Sequence, residues 1–186
     1  METQQTKTMD NGVDLEALGK TIEAIRQNPE LGKSRFRVRN KWLGGGHNRT
    51  RVQGFYGGGR EMTHKQDFEL HADEPPVLGG TDEGANPVEH LLNALAACVT
   101  TSMVAHAAAR GIEIDQLESE IEGDIDLQGF LGLDESVPKG YKDIRIKFRV
   151  KTDPKNIEEL KKLAMFSPVY NTVTQGASVD IQIENK

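Results

Sequence analysis

Apolar positions along this chain follow two rhythms. Val13, Leu15, Leu18, Ile22 and Ile25 recur at spacings of two, three, four and three. That spacing predicts one face of a short amphipathic helix ending near Asn28-Pro29. Residues 1–12 before it are polar and read as a loose start. From residue 34 the period shortens to two. Phe36 and Val38 alternate with Arg35, Arg37 and Arg39, which predicts a half-buried strand. Gly44-Gly45-Gly46 and Gly57-Gly58-Gly59 mark turns, and a second strand runs through Thr50, Val52 and Phe55. Phe68, Leu70 and Ala72 alternate with Asp67, Glu69 and His71 as a third. Pro75-Pro76 and Gly79-Gly80 then open a loop that runs to Asn86.

The most apolar stretch, residues 84–111, predicts a long helix. Asn86 is a good N-cap, and Pro87 at the first helical position has the φ that a first turn requires. Glu89 falls three residues after Asn86, where a capping-box carboxylate reaches back to the cap N–H. Arg110 suits the negative end of the dipole, and Gly111 can take the left-handed stop. Small or apolar residues occur nearly all round this helix, so it is expected to be buried on most sides.

Beyond it, Ile121, Ile125 and Leu127 predict a strand, and residues 128–140 a loop. Ile144, Ile146, Phe148 and Val150 alternate with Arg145, Lys147 and Arg149, the cleanest strand pattern in the chain. Asp153-Pro154 opens a further helix, and Val179, Ile181 and Ile183 alternate as a last strand. Hairpins, a helix, more strands, a helix and a strand make the fold α+β.

Composition narrows the function classes. The 186 residues suit one compact domain, and 28% charged with 36% hydrophobic residues is a globular balance. A net charge of −6 argues against nucleic acid as a partner. Lys33, Arg35, Arg37, Arg39 and Lys41 fall on every second residue and read as a solvated strand face. Polar His90, Asn93 and His106 interrupt the apolar helix, so no membrane span is expected. The start of the chain has no secretory pattern, and the expected location is cytoplasmic. His47, His64, His71, His90 and His106 lack a metal-binding spacing, and the glycine triplets lack a P-loop lysine; no metal or other cofactor is expected.

The single cysteine, Cys98, sits in the middle of the long helix and excludes an internal disulfide framework. A buried cysteine is usually an inert small hydrophobe; a reactive one needs an adjacent cation, because mid-helix the dipole helps a thiolate little.

Gly84-Ala85-Asn86-Pro87-Val88-Glu89 through Ala96-Ala97-Cys98, together with Met165-Phe166-Ser167-Pro168-Val169, resembles the OsmC/Ohr family of osmotically inducible and organic hydroperoxide resistance proteins. Element order agrees from about residue 34 onward. The resemblance divides the chain into an N-terminal extension, 1–33, and an OsmC/Ohr-like domain, 34–186. It implies an intertwined homodimer, with antiparallel sheets packed around two main helices. It also implies a thiol peroxidase in which a thiolate attacks the peroxide and a second cysteine resolves the sulfenic acid.

Cys98 matches the attacking position. The resolving position reads Ser167, which also fits an N-cap before Pro168 on a short helix from Val169 to Thr174. The family's Asn-Pro-Glu reads Asn86-Pro87-Val88, so its carboxylate is missing or displaced to Glu89, where a capping role competes with catalysis. Arg49 loosely matches the arginine that stabilises the thiolate, and Arg51 is the next candidate. The catalytic set to test is therefore Cys98, Arg49 and Glu89.

Three functions follow as alternatives. The first is a one-cysteine peroxidase acting on a small organic hydroperoxide with an external thiol reductant. The second is a non-catalytic protein of the same fold that binds a small apolar ligand in a pocket near Cys98. The third is a structural dimer in which Cys98 merely packs.

Overall fold

A computed structural model describes residues 9–185. Strands β1 (Met9–Asp10) and β2 (Val13–Asp14) form a miniature hairpin. Its turn, Asn11-Gly12, has φ of 48° and 76°, the positive pair that an Asn-Gly hairpin turn takes. The loose start expected for residues 1–12 therefore gives way to ordered structure from Met9; residues 1–8 lie outside the described chain. Helix α1 (Leu15–Gln27) follows, capped by Asp14, whose side chain accepts from the Ala17 N–H at 3.0 Å. It ends at Asn28, as expected, but Val13 belongs to β2 rather than to the helix.

The described residues form two compact units, residue 9 with 14–91 and residues 10–13 with 92–185. In the first unit, β3 (Val38–Gly44), β4 (His47–Val52), β5 (Phe55–Gly57), β6 (Arg60–Met62) and β7 (Glu69–Ala72) are all antiparallel. They form a sheet in the order β3-β4-β7 and a separate hairpin, β5-β6. Register sorts the side chains of the sheet. Arg39 pairs with Arg51 and Arg51 with Glu69; Lys41 pairs with Arg49 and Arg49 with His71. Directly paired residues share a face, so these form one charged face. Val38, Val52 and Leu70 lie on the other. Phe36 and Val38, expected to be half-buried, are exposed; Phe36 stacks on Phe55, with ring centroids 5.4 Å apart, yet stays 74% exposed.

Helix α2 (Pro87–Ala108) links the units. Its start is the expected capping box: the Glu89 carboxylate accepts the Asn86 N–H at 2.8 Å, and Asn86 Oδ1 accepts the Val88 N–H at 2.9 Å. Its end is also as expected, with Gly111 at φ 63°. The helix is long and apolar enough to cross a membrane by length and composition alone. Only 28% of that apolar stretch is buried, so the helix sinks one stripe into a core rather than being buried on most sides as expected.

The second unit holds that core. Leu95, Val99, Met103 and Ala107 recur every four residues and form the buried stripe of α2. Strand β8 (Gln116–Ile125), the short helix α3 (Leu127–Phe130) and strand β9 (Tyr141–Lys151) follow, then α4 (Ile157–Ala164) and α5 (Pro168–Gln175). β8 and β9 pair antiparallel over their length. Met103, Ala107, Leu160 and Leu163 form the buried cluster, with Ile112, Ile114, Leu117, Phe148 and Val150 packed on it. Asn11 anchors the first hairpin to this unit: it donates to the Ile112 carbonyl at 2.8 Å and accepts the Ile114 N–H at 2.9 Å.

Two expectations fail here. Leu127 starts α3, because Asp126 caps it by accepting the Gln128 N–H at 3.0 Å. The last strand does not form: Val179, Ile181 and Ile183 lie exposed and unpaired, because no described strand edge of the chain bonds to them.

Candidate functional site

Cys98 is a free, half-buried thiol on α2. It lies one residue before Val99, about 100° round the helix from the core stripe at 3.6 residues per turn. Ala94 and Thr101, one turn away on either side, are exposed, so this flank of the helix is open rather than sealed. Helix α2 contains no lysine or arginine. Any cation beside the sulfur must therefore come from another element.

An apolar cavity of about 350 Å³ lies in the same unit. Val99 and Met103 from α2, Phe148 and Val150 from β9, and Leu160 and Met165 line much of it, with Lys161 and Tyr170 adding its polar groups. A pocket was expected near Cys98; this one is lined by the neighbouring Val99, and the thiol is not part of its wall.

Ser167 is fully buried and caps α5, accepting the Tyr170 N–H at 3.1 Å. The Asn171 side chain ties the same turn, donating to the carbonyls of Met165 at 2.9 Å and Ser167 at 2.8 Å. Its N-cap reading holds, and α5 is slightly longer than expected because Pro168 opens it and Gly176, at φ 78°, closes it. Near the end of α2, His106 stacks on Phe166 with ring centroids 4.3 Å apart. Burial, and then the neighbouring Arg110, hold its imidazole below the ordinary histidine range.

Arg49 and Glu89 belong to the first unit. Glu89 is committed to the capping box described above. Arg49 lies on the charged face of the sheet. Its Nε makes no hydrogen bond and lies 3.7 Å from Glu69 Oε2. The same carboxylate accepts from Arg51 Nε at 2.9 Å, the stronger contact.

Glu69 is the hub that sequence reading missed. The Arg51 bond first, and then the His71 contact at 3.1 Å, hold its carboxyl below the ordinary glutamate range. A carboxylate only accepts, so His71 Nε2 donates to it, and its Nδ1 lies 3.0 Å from His47 Nε2. His90 Nε2 in turn donates to the His71 carbonyl at 3.0 Å. Only the strand register brings these residues together. The alternation of Glu69 and His71 on one strand was the available signal. Among the described residues no group of histidines, cysteines or carboxylates is arranged to hold a metal ion.

A second missed feature is Asp73. Its carboxylate is buried and accepts the Thr81 hydroxyl at 2.7 Å and the N–H groups of Glu74, Thr81 and Glu83 at 2.8 to 3.2 Å. These bonds, the Thr81 hydroxyl foremost, bring its pKa down to about 2. They also fold the loop before α2 around one charge.

This fold and this helix define a known class. The family model for OsmC-like proteins matches residues 80–182, more than half the chain. The chain belongs to the OsmC family. Solved structures agree in fold. An OsmC-like protein from Mycoplasma pneumoniae is 18% identical with a TM-score of 0.57, the match covering 75% of this chain and 87% of that one. An OsmC-like protein of unknown function from Vibrio cholerae is 10% identical with a TM-score of 0.57, covering 75% of this chain and 94% of that one. Comparison with curated proteins finds no match.

Proposed function

We propose that this protein is a one-cysteine thiol peroxidase acting on small organic hydroperoxides. The observation that carries this reading is the half-buried Cys98 on an open flank of the family's central helix. The Cys98 thiolate attacks the distal oxygen of the peroxide. The O–O bond breaks, the hydroxyl passes to sulfur as a sulfenic acid, and the departing alkoxide takes a proton from solvent and leaves as the alcohol. Arg49 supplies the cation for the thiolate, since its Nε is free of hydrogen bonds and α2 has no cation of its own.

Resolution comes from outside the chain. Ser167 stands where a second thiol would be needed, and its hydroxyl is spent on capping α5. An external thiol therefore condenses with the sulfenic acid, releasing water and leaving a mixed disulfide. A second thiol then attacks that disulfide and frees Cys98. Glu89 serves this scheme by fixing the first turn of α2. Turnover of cumene hydroperoxide with dithiothreitol tests the reading. Cys98→Ser should reduce it to the uncatalysed rate; turnover that survives this change rules the reading out.

The apolar cavity favours a second reading, a non-catalytic protein that holds a small apolar ligand. Ala164→Trp would fill the cavity. On this reading it displaces a fluorescent apolar probe that the unaltered protein binds, while Cys98→Ser leaves binding unchanged.

A further inference from the structure

The two long strand pairs of this chain arrange their charges in opposite ways. Across β8 and β9, Glu118 faces Arg149, Glu120 faces Lys147 and Glu122 faces Arg145. Each of these cations stands directly opposite a carboxylate, and Arg145 and Arg149 form ion pairs of 2.5 to 2.9 Å. Across β3 and β4 the register instead sets Arg39 opposite Arg51 and Lys41 opposite Arg49. Like charges placed directly opposite one another destabilise a strand pair. The chain has 29 acidic residues against 23 basic ones, so a shortage of carboxylates does not explain the difference.

The cations of this face also lack partners. Glu69, the one carboxylate in the same two cross-strand rows, is taken by Arg51 at 2.9 Å. Arg39 and Lys41 are exposed, and their side chains make no hydrogen bond or ion pair among the described residues. The half-buried Arg49 side chain makes no hydrogen bond either, and its Nε is shut away from solvent, 3.7 Å from Glu69. A buried N–H without an acceptor is uncommon, and a bound anion is one way to satisfy the guanidinium that carries it.

The spacing sets the kind of anion. Arg39 and Lys41 are two residues apart on β3, about 7 Å along the strand. Arg49 lies about 5 Å from Lys41 across the ladder. Guanidinium forks grip phosphoryl oxygens in pairs, and an ammonium adds a point charge. A single carboxylate is too small to span both rows, and the net charge of −6 repels a long nucleic-acid strand. We propose that Arg39, Lys41 and Arg49 form a binding site for a small diphosphate anion. Lys41 and Arg49 clasp one phosphoryl group, and Arg39 reaches the second. The site shares Arg49 with the peroxidase scheme, so a bound diphosphate takes that cation from the thiolate; the binding itself does not rest on that scheme.

Titration calorimetry of the full chain with inorganic pyrophosphate, in magnesium-free buffer, tests the site. One saturable site per chain is expected, with orthophosphate binding at least tenfold more weakly. Arg39→Gln with Lys41→Gln should weaken pyrophosphate at least tenfold. Arg145→Gln with Arg149→Gln removes the same charge from the paired sheet and should leave the affinity unchanged. No saturable binding, an equal loss in the two double variants, or orthophosphate bound as tightly as pyrophosphate overturns the proposal. Adenosine diphosphate titrated alongside separates the sources: binding tighter than pyrophosphate marks a nucleotide, weaker binding an inorganic anion, and either upholds the site.

Two further readouts need no variant. His71 ends the row of Lys41 and Arg49, so its ring-proton resonance should shift saturably with pyrophosphate while that of His106 stays put. A His71 resonance that does not move contradicts the placement. Dimedone labelling of Cys98 under cumene hydroperoxide should slow at least tenfold in saturating pyrophosphate. Intact binding with unslowed labelling removes Arg49 from the thiolate chemistry and leaves the anion site standing.

Discussion

The Asp73 carboxylate accepts the Thr81 hydroxyl at 2.7 Å while shut away from solvent. No cation is needed, because three backbone N–H groups complete its shell. The loop leading to α2 is thus wound round one buried charge. Because the folded pKa of about 2 lies below the usual 3.8, the charge stabilises the fold above pH 4. That contribution is lost as pH falls from about 4 towards 2. Urea midpoints of the unaltered chain and Asp73→Asn should differ at pH 6, with the variant lower, and converge near pH 2. A difference that stays constant over that range would contradict this role.

Thr81→Val keeps the shape and deletes one donor to Asp73. The expected outcome is faster amide exchange at Glu74 and Glu83, which share the same carboxylate, with the strand amides of β8 and β9 unchanged.

Ser167→Ala removes the cap of α5. Loss of an N-cap typically costs about 1 kcal/mol, so the chemical-denaturation midpoint should fall by a corresponding amount. Because Ser167 resolves nothing in this scheme, the rate of hydroperoxide consumption per folded molecule should be unaltered. A large drop in rate at full folding would give Ser167 a chemical role.

Glu89→Gln separates capping from proton transfer. Glutamine can still accept the Asn86 N–H in a capping box. The thermal midpoint and the hydroperoxide rate should both stay within experimental range of the unaltered protein, while Glu89→Ala lowers the midpoint. A rate that collapses in the glutamine variant alone would restore Glu89 to catalysis.

Arg49→Met tests the cation. The expected result is at least a tenfold slower oxidation of Cys98 at neutral pH, with Arg51→Met much milder because Arg51 is held by Glu69. Equal effects of the two would remove the distinction between them.

What the sequence made legible was local. Asn86-Pro87 with Glu89, and Ser167-Pro168, announce helix starts through contacts three or fewer residues long. β9 is legible because both its neighbours and its burial follow a period of two. Asp73 and Glu69 were not, since their partners depend on a loop fold and on cross-strand register. Leu127 was misplaced because the cap at Asp126 overrode its alternation. The alternation of Val179, Ile181 and Ile183 is real, but a strand also needs an edge, and that edge is not written in the segment itself.

The central claim rests on one sulfur atom. Purified protein treated with cumene hydroperoxide in the presence of dimedone should gain a single dimedone adduct, mapped to Cys98 by peptide mass spectrometry and formed far faster than on free cysteine. A Cys98 that stays unmodified, or reacts no faster than the free amino acid, contradicts the account.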